Sequence, residues 1–570
     1  MTALPYSSSL HYILLQPEDS SFKSVDFFLH FVNEDICKLD ISLSELKLRT
    51  AFNKKIGIFY DNNSILHRSE LQRLVKRNIS LTRCKLDFKL SGKSLIRFEI
   101  YKHLFLPSIY FISTDTAEDL PLMTRLVGLS PQLSELTGRC IPNTILRALG
   151  WLGGEYLTTL VLGEVCALDG AKYTDDTFDV ICRAYPHLTR LRVDEDIDYP
   201  GLTDASIRSV VTHCPKLESL TINWENITDA AMDALLSMST LKELNLSCYH
   251  SITGAGIRRA IEANRDLESI TVSSHAAIDD NLLRSISLNF PKLKTLYLYV
   301  GEECDEISSD SMFIAITKRC PLLETLQIDG WEFKDDLLLS LSQHCPKLRR
   351  LQVGWEADEL TQQSVVTEAA LIQLFQGCPD LRAIRTLPTT ATDASLLALS
   401  TYCTHFEEIC IWHNNHIRDT GLVSLFKACN NLATVRVDGC SNITDQSLFS
   451  LVQHCPLVAA VTLSGQRLTD TSLLYIATHL RKLHKLSVSF MSMPDDILSI
   501  ISRRCKFLTD IDFYHCSEIT STGILSIINK CRRLKRVFVY ECDVVITPEL
   551  HKYTRGGDHI TRELYVRVAN

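Results

Sequence analysis

The chain has 570 residues and 45% of them are hydrophobic, so it carries enough apolar side chains to bury a continuous core. Its formal net charge of −9 at pH 7 and isoelectric point near 6.1 argue against general binding of nucleic acid or of an anionic membrane. No apolar run reaches the about eighteen residues of a membrane-spanning helix, so none is expected.

The start of the chain is not typical of a secretory signal. Residues 1–16 have no basic start and no small-residue cleavage site after an apolar stretch. Without such a signal, the 20 cysteines are expected to be reduced thiols. We therefore expect the protein in the cytoplasm or the nucleus.

The N-terminal part of the chain divides into three segments before a repeated region begins. Residues 1–24 are polar and rich in serine, and they are expected to be disordered. Residues 25–75 are predicted to be largely helical. Residues 76–130 are interpreted as irregular early repeats or a connector. Alternating apolar residues predict strands within the ranges 56–60, 79–90 and 95–112.

Two short amphipathic helices are predicted within residues 25–75. Their apolar side chains are Phe28, Leu29, Ile36, Leu39 and Leu43. One interpretation is that these helices form a cap that shields the first unit of the repeated region, as stacked repeats require.

From residue 131 to residue 570 one phrase recurs about every 26 residues. It reads Cys-Pro-x-Leu-x-x-Leu-x-Ile, followed by a polar break and then Ile-Thr-Asp-x-x-Leu-x-x-Leu. Clear copies begin at Cys214, Cys320, Cys345, Cys378 and Cys455, and looser copies at Cys403, Cys429, Cys505 and Cys531. Such a period marks a stack of about 15–17 small units that cannot fold singly.

One unit, residues 214–238, shows how the phrase is expected to fold. Its apolar residues first alternate at strand spacing and later recur at helical spacing. Between them lies an Ile-Thr-Asp turn, in which Thr228 or Asp229 can cap the helix. Each unit is thus one short strand and one helix. The predicted fold is an α/β horseshoe, a right-handed solenoid with a parallel sheet on its concave face and helices outside.

The phrase and its turns resemble those of cysteine-containing leucine-rich repeats. The best matches are Cys440-Ser-Asn-Ile-Thr-Asp-Gln-Ser-Leu448 and Cys516-Ser-Glu-Ile-Thr-Ser-Thr-Gly-Ile524, and the resemblance covers about residues 150–570. In that family such repeats are common in substrate receptors of cullin–RING ubiquitin ligases, where an N-terminal F-box accompanies them. The resemblance therefore implies a protein-binding horseshoe.

The two predicted N-terminal helices resemble the middle of an F-box over residues 27–46. The usual Leu-Pro before the first helix lies about twenty residues too early, at Leu4-Pro5, and the Trp that often follows the second helix is absent. A degenerate F-box would dock a ubiquitin-ligase adaptor through Phe28, Leu29, Ile36, Leu39 and Leu43. The helical cap remains the alternative interpretation.

Three units contain a His-Cys-Pro triplet, beginning at His213, His344 and His454. A zinc site needs four ligands that converge on one point, whereas each of these pairs occupies the same place in its own repeat. No Cys-x-x-Cys pair occurs in the sequence. The pattern favours a ladder of small buried thiols over a metal site.

The residues between the leucines of each strand are predicted to point to the concave side or its rim. Aromatic side chains and arginines exposed there are typical anchors of protein interfaces. The predicted partner-binding residues are Arg192, Trp224, Tyr297, Tyr299, Trp331, Arg350, Trp355, Trp412, Arg436, Tyr514 and Tyr540. For the tryptophans the alternative is that the rings fold over the strand ends and fill gaps between units.

These features favour an intracellular protein-recognition module. Together with the resemblance to an F-box, they predict an F-box-like substrate receptor of a cullin–RING ubiquitin ligase that binds its target on the concave face of the repeats. Neither catalysis nor a cofactor is expected. The chain has no Gly-x-Ser-x-Gly elbow and no Gly-rich phosphate loop before a helix. The expected partners are protein targets, and the F-box resemblance adds the adaptor and the cullin of a ubiquitin ligase. We expect a monomer within such a complex. The alternative is a leucine-rich-repeat scaffold without ubiquitin-ligase attachment.

Overall fold

The structure is a computed structural model that describes most of the repeated region and short parts of the rest. The described ranges are 134–138, 146–147, 150, 156–163, 173–194, 201–247, 252–274, 278–300, 310–331, 333–353, 366–385, 387–464, 467–542, 544–545 and 547–554. Strand backbone is also described at 13–15, 39–41, 58–59, 81–86, 108–111 and 565–569. The chain divides into two compact units, Met1–Ala277 and Ile278–Asn570, here called the N-terminal and C-terminal units.

The described part of the N-terminal unit is a parallel sheet whose later strands alternate with helices. Its strands are β1 (Ile13–Leu15), β2 (Leu39–Ile41), β3 (Ile58–Phe59), β4 (Leu81–Leu86), β5 (Ser108–Phe111), β6 (Glu135–Gly138), β7 (Thr159–Leu162), β8 (Arg190–Asp194), β9 (Ser219–Asn223), β10 (Glu243–Ser247) and β11 (Ser269–Ser274). Each strand pairs in parallel with the next. The helices are α1 (Asp175–Ala184), α2 (Asp204–His213), α3 (Asp229–Ala234) and α4 (Gly254–Ala263).

The C-terminal unit continues the same alternation of strand and helix. Its strands are β12 (Thr295–Val300), β13 (Thr325–Asp329), β14 (Arg350–Val353), β15 (Ala383–Ile384), β16 (Glu408–Trp412), β17 (Thr434–Asp438), β18 (Ala460–Ser464), β19 (Lys485–Ser489), β20 (Asp510–Tyr514), β21 (Arg536–Tyr540) and β22 (Tyr565–Ala569). Consecutive strands are again parallel. The helices are α5 (Asp280–Asn289), α6 (Ser311–Arg319), α7 (Asp335–His344), α8 (Glu368–Gly377), α9 (Asp393–Tyr402), α10 (Asp419–Ala428), α11 (Asp445–His454), α12 (Asp470–His479), α13 (Asp495–Arg504), α14 (Ser521–Lys530) and α15 (Pro548–Thr554).

The core of each unit follows from two periodicities. A strand such as β9 buries its second and fourth residues, Leu220 and Ile222, and turns the residues between them to the other face. A helix such as α11 buries Leu448 and Leu451 on one face. Together with the parallel pairing, this pattern confirms the predicted α/β leucine-rich-repeat class.

The Thr-Asp pair before most helices has two separate roles. Thr203 is the N-cap of α2, and its side chain accepts a hydrogen bond from the backbone N–H of Ala205 at 3.2 Å. Asp204 instead accepts from the backbone N–H and the hydroxyl of Thr228, the N-cap of the next helix, both at 2.8 Å. The same pair of hydrogen bonds connects neighbouring repeats at six further positions: Asp175–Thr203, Asp229–Thr253, Asp335–Thr367, Asp419–Thr444, Asp445–Thr469 and Asp495–Thr520.

The cysteines of the repeat phrase sit at the C-caps of the helices and are buried. The thiol of Cys378 donates to the carbonyl of Cys345 at 3.4 Å, and that of Cys403 to the carbonyl of Cys378 at 3.5 Å. These bonds supply donors to carbonyls that a helix end leaves without an intrahelical partner. Burial raises the pKa of all three thiols to about 12. The predicted ladder of buried thiols is confirmed.

The N-terminal segments differ from the prediction where the structure describes them. Strand β2 occupies Leu39–Ile41, so the helix predicted there is wrong at these residues. Its backbone pairs with β1 and β3, and this pairing overrides the local helical pattern. Strand β1 likewise lies within residues 1–24, which were expected to be disordered. Strands β3, β4 and β5 fall inside the three ranges predicted to contain strands.

Candidate protein-binding surface

Each sheet has a face opposite the buried leucines, here called the exposed sheet face. Where the side chains of a strand are described, this face carries its first, third and fifth residues, because side chains alternate across a strand. In β17, for example, Thr434, Arg436 and Asp438 lie on this face, while Val435 and Val437 are buried. Most of the predicted partner-binding residues belong to it.

On the N-terminal unit two arginines of this face pair with carboxylates of the same face. Arg192 is exposed, as predicted, and its Nε lies 2.9 Å from Asp194 Oδ2. Arg190 Nη2 lies 3.3 Å from Glu243 Oε2, which also accepts from the Ser219 hydroxyl at 2.7 Å. A partner that binds here must compete with these internal bonds.

Trp224 is not part of the exposed sheet face, so its assignment as a partner-binding residue is wrong. Its side chain is 1% exposed, and the indole N–H donates to the carbonyl of Val193 at 3.2 Å. The ring meets Phe178 edge-on with centroids 5.5 Å apart. The alternative interpretation holds here, because the ring fills a gap between neighbouring repeats.

The other tryptophans behave differently from one another. Trp331 is half-buried, its N–H donates to Asp310 Oδ1 at 2.8 Å, and its ring lies 6.0 Å from that of Phe313. Trp412 is half-buried at the end of β16, and its N–H has no acceptor among the described residues. Trp355 lies outside the described residues.

Along strands β12 to β15 the polar side chains of this face form hydrogen bonds with one another. Asp329 accepts from Gln327 at 2.9 Å and from Gln352 at 2.7 Å, and Arg385 donates to Gln352 at 2.9 Å. Tyr297 joins the network: burial and then the neighbouring Asp329 carboxylate raise its pKa to about 12. Tyr299 is half-buried on the same strand, opposite Asp329.

Arg350 is exposed at the first position of β14. Its guanidinium lies 3.9 Å from both Glu407 and Glu408, at the outer limit of an ion pair. Exposed pairs at such distances contribute little to folding stability. Arg350 is therefore a cation that a partner can engage at little cost to the fold.

On strands β17 to β19 the exposed sheet face contains three serines of low exposure, and this part of the face is here called the serine recess. Its floor consists of Ser464, Ser487 and Ser489, which belong to the exposed sheet face but are only 4%, 6% and 7% exposed. Thr462 lies between Arg436 and Ser487 in the strand register. Arg436 is half-buried and makes no ion pair or side-chain hydrogen bond with any described residue.

Beyond the recess, aromatic side chains gather at the ends of β19 to β21. Phe490 stacks on His515 with centroids 4.6 Å apart, and His515 meets Tyr540 edge-on at 6.0 Å. Tyr514 and Tyr540, both predicted partner-binding residues, lie 6.3 Å apart. Phe490 is 59% exposed, so this aromatic cluster presents apolar surface to solvent.

Phe490 and His515 hold the left-handed backbone conformation, with φ of 56° and 49°. Each follows the last residue of its strand, and its N–H donates to the carbonyl of the next strand, Tyr514 for Phe490 and Tyr540 for His515, both at 3.0 Å. Such backbone costs a side chain about 1 kcal/mol or more. It turns both rings toward each other at the strand ends.

Asp512 lies under this cluster and is almost fully buried on the exposed sheet face. Burial raises the pKa of this carboxyl, although Arg536 and Lys485 oppose the shift. Arg536 Nη2 lies 3.2 Å from Asp512 Oδ2, while Oδ1 has no hydrogen-bond partner in the described part of the chain.

The floor of the recess and His515 were not predicted from the sequence. Serines between leucines are ordinary in any strand, and their burial depends on the height of neighbouring side chains. His515 follows β20 as His413 follows β16, and this shared position was the available signal. Of the adaptor-docking candidates, Phe28, Leu29, Ile36 and Leu43 lie outside the described residues, and for Leu39 only strand backbone is described.

Within the described ranges, no three His, Cys, Asp or Glu side chains come close enough together to hold a metal ion.

Among the described helices, none combines the length and the apolar character that a membrane crossing requires.

No protein-family model matches the chain. One similar solved structure is that of the Rad7 and Elc1 complex in yeast, with a TM-score of 0.44 and 15% identity over 55% of this chain and 79% of that chain. Another is that of a TLR13–ssRNA13 complex, with a TM-score of 0.33 and 12% identity over 94% of this chain and 82% of that chain. At these TM-scores neither likeness assigns a function.

The repeats and the exposed sheet face define the class of protein. Each unit is an α/β leucine-rich-repeat array, and no described helix covers the exposed sheet face. The polar and aromatic side chains of this face suit a protein partner. The chain is an α/β leucine-rich-repeat protein.

Proposed function

We propose that the protein recognises target proteins through the exposed sheet face of its C-terminal unit. The observation that carries the proposal is that several arginine and aromatic side chains of this face have weak internal contacts or none among the described residues. Arg350 is held only loosely, Arg436 has no partner among the described residues, and Phe490 exposes its ring. Arginine and aromatic side chains are the residue types enriched at interface hot spots.

The test is recovery of partners by proximity labelling in cells. Tyr297, Arg350 and Arg436 are replaced together by alanine, and partners that depend on the exposed sheet face should be lost. A matched control replaces Leu397, Tyr402 and Tyr475, which are exposed side chains of helices α9 and α12. If the helix substitutions remove the partners and the sheet substitutions do not, the proposal is wrong.

The finer part of the proposal is that the recognised proteins are substrates of a cullin–RING ubiquitin ligase. Its support is the resemblance of the cysteine-containing repeats to those of ubiquitin-ligase substrate receptors. The candidate adaptor-docking residues add no structural support, because four lie outside the described residues and Leu39 belongs to a strand. A leucine-rich-repeat scaffold without a ligase is the alternative.

Affinity purification of the full chain and of a chain without residues 1–60 separates these two possibilities. A substrate receptor should retain an adaptor and a cullin, and removal of the segment should release them. A scaffold should retain its targets in both forms and neither ligase component. We further propose a binding role without catalysis, and a location in the cytoplasm or the nucleus.

A further inference from the structure

The hydrogen-bonding capacity of the exposed sheet face is used unevenly along the C-terminal unit. At β12 to β15 and the residue after β15, Asp329, Gln352 and Arg385 form a hydrogen-bonded network with donor–acceptor distances of 2.7 to 2.9 Å. On β17 to β19 the polar side chains form no such network. Polar groups that bond to no described residue are available to a ligand.

The floor of the serine recess supplies hydroxyl groups. Ser464, Ser487 and Ser489 are more than nine-tenths buried, and their hydroxyls make no hydrogen bond with any described residue. The core side of the same strands is taken by Val461, Leu463, Leu486 and Val488, so the serines face away from the core. Each hydroxyl can donate to a ligand oxygen.

Arg436 supplies the charge at one wall of the recess. It pairs in register with Thr462, which in turn pairs with Ser487. Neighbouring strands lie about 4.8 Å apart, so the long arginine side chain can reach a group seated over Thr462 and Ser487. A cation beside several free hydroxyl donors is complementary to an anionic oxygen.

We propose that the serine recess binds an acidic side chain of the protein partner, with Arg436 pairing with its anionic oxygens and the serine hydroxyls donating to them. The proposal rests on the proposed function, since it names the chemistry that the exposed sheet face recognises. Carboxylate and phosphoester side chains share the required oxygens. Phe490 is adjacent to Ser489 and offers an apolar contact, so the acidic residue should have an apolar neighbour.

Asp438 provides an independent test of the charge that the recess prefers. It lies two residues from Arg436 on the same face, about 7 Å away along the strand, and forms no ion pair with it. Its carboxylate repels an anion in the recess. Removal of this charge should therefore tighten the binding of an acidic side chain, an effect that a purely structural role for the recess does not produce.

The experiment uses the full chain and three fluorescent peptides that differ only in one central residue, glutamate, phosphoserine or glutamine, flanked by leucines. We expect the better anionic peptide to bind about tenfold more tightly than the glutamine peptide, as measured by fluorescence anisotropy. The stronger of the two anionic peptides identifies the kind of acidic side chain. Equal binding of all three, or no binding at millimolar peptide, overturns the proposal.

Variants of the recess complete the test. Arg436→Ala should remove the preference for the anionic peptides, and Asp438→Asn should strengthen anionic binding about twofold to threefold. Arg385→Ala is the matched control, because that guanidinium already donates to Gln352, and it should change nothing. Far-ultraviolet circular dichroism and thermal unfolding show that each variant is folded. An unchanged preference in folded Arg436→Ala contradicts the proposal.

The failure of this inference can be told from the failure of the proposed function. One outcome is that cellular partners are lost on replacement of Tyr297 and Arg350 but the peptides show no charge preference. In that case the sheet face binds partners in another way, and only the proposal for the serine recess is wrong. If no substitution on the exposed sheet face changes the partners recovered, the proposed function itself is wrong.

Discussion

Asp175, in the first turn of α1, accepts hydrogen bonds from the backbone N–H of Thr203 at 2.9 Å and from its hydroxyl at 2.7 Å. A third bond comes from the hydroxyl of Ser206 at 2.6 Å. One carboxylate thus joins the start of one helix to the start of the next. Because stacked repeats depend on their neighbours, such bonds are part of what makes the array cooperative.

Replacement of Asp175 by alanine should lower the free energy of unfolding by about 1–2 kcal/mol, because the cap of the next helix loses its acceptor. Asp176→Ala is the matched control: Asp176 occupies the same helical turn but is exposed and bonds to no described residue. Urea unfolding followed by circular dichroism measures both. Equal losses would show that the helix dipole, and not the bond to Thr203, is responsible.

The stability of the N-terminal unit should fall in acid for the same reason. Although burial opposes the shift, the hydrogen bonds from Ser206 and Thr203 hold the pKa of Asp175 below its usual value. A carboxyl with a lowered folded-state pKa stabilises fully above the unfolded value of about 3.9, and this contribution is lost as pH falls through the folded-state pKa. Urea unfolding at a series of pH values should show a smaller acid loss for Asp175→Asn. An identical pH dependence would contradict this account.

The cysteine ladder should be inert toward thiol reagents. Burial raises the pKa of Cys345 and Cys505 to about 12, and the thiolate is the reactive form. In a mildly alkaline buffer, iodoacetamide should leave the ladder cysteines of the folded protein unmodified and should modify them in denaturant. Peptide mass spectrometry can measure the modification of each cysteine. Rapid modification of Cys345 in the native chain would refute the buried assignment.

Trp224 should contribute to folding and not to partner binding. Trp224→Phe removes the N–H that donates to Val193 and should cost about 1–2 kcal/mol of stability. Trp224→Ala also leaves a cavity and should cost about 3–5 kcal/mol. Denaturant unfolding measures both losses. The folded Trp224→Phe variant should recover the same partners as the natural chain, and their selective loss would restore Trp224 as a binding residue.

The repeats were predictable because their signals are local and redundant. Leu220 and Ile222 alternate, Thr228 follows a polar break, and each copy of the phrase repeats the pattern. The side on which a residue at a strand end lies is not a local property. Trp224 and Trp412 both stand at such ends, yet one ring is buried against Phe178 and the other is half-buried. Neighbouring repeats decide this difference.

The candidate site was predictable only in part, for a related reason. Arg436 and Tyr297 could be placed on the exposed sheet face by counting along a strand. Whether each is already bonded depends on residues about 25 or more positions away, as Tyr297 depends on Asp329. The strand β2 was missed because its partners are other strands and its own sequence also fits a helix.

The exposed sheet face of the C-terminal unit is proposed to contact a partner protein. The most direct measurement places a photoreactive amino acid at Tyr297 in one chain and at Tyr475, on helix α12, in another. Ultraviolet crosslinking in cells should join a partner to the chain labelled at Tyr297 and not to the chain labelled at Tyr475. Crosslinks from Tyr475 alone would contradict the claim.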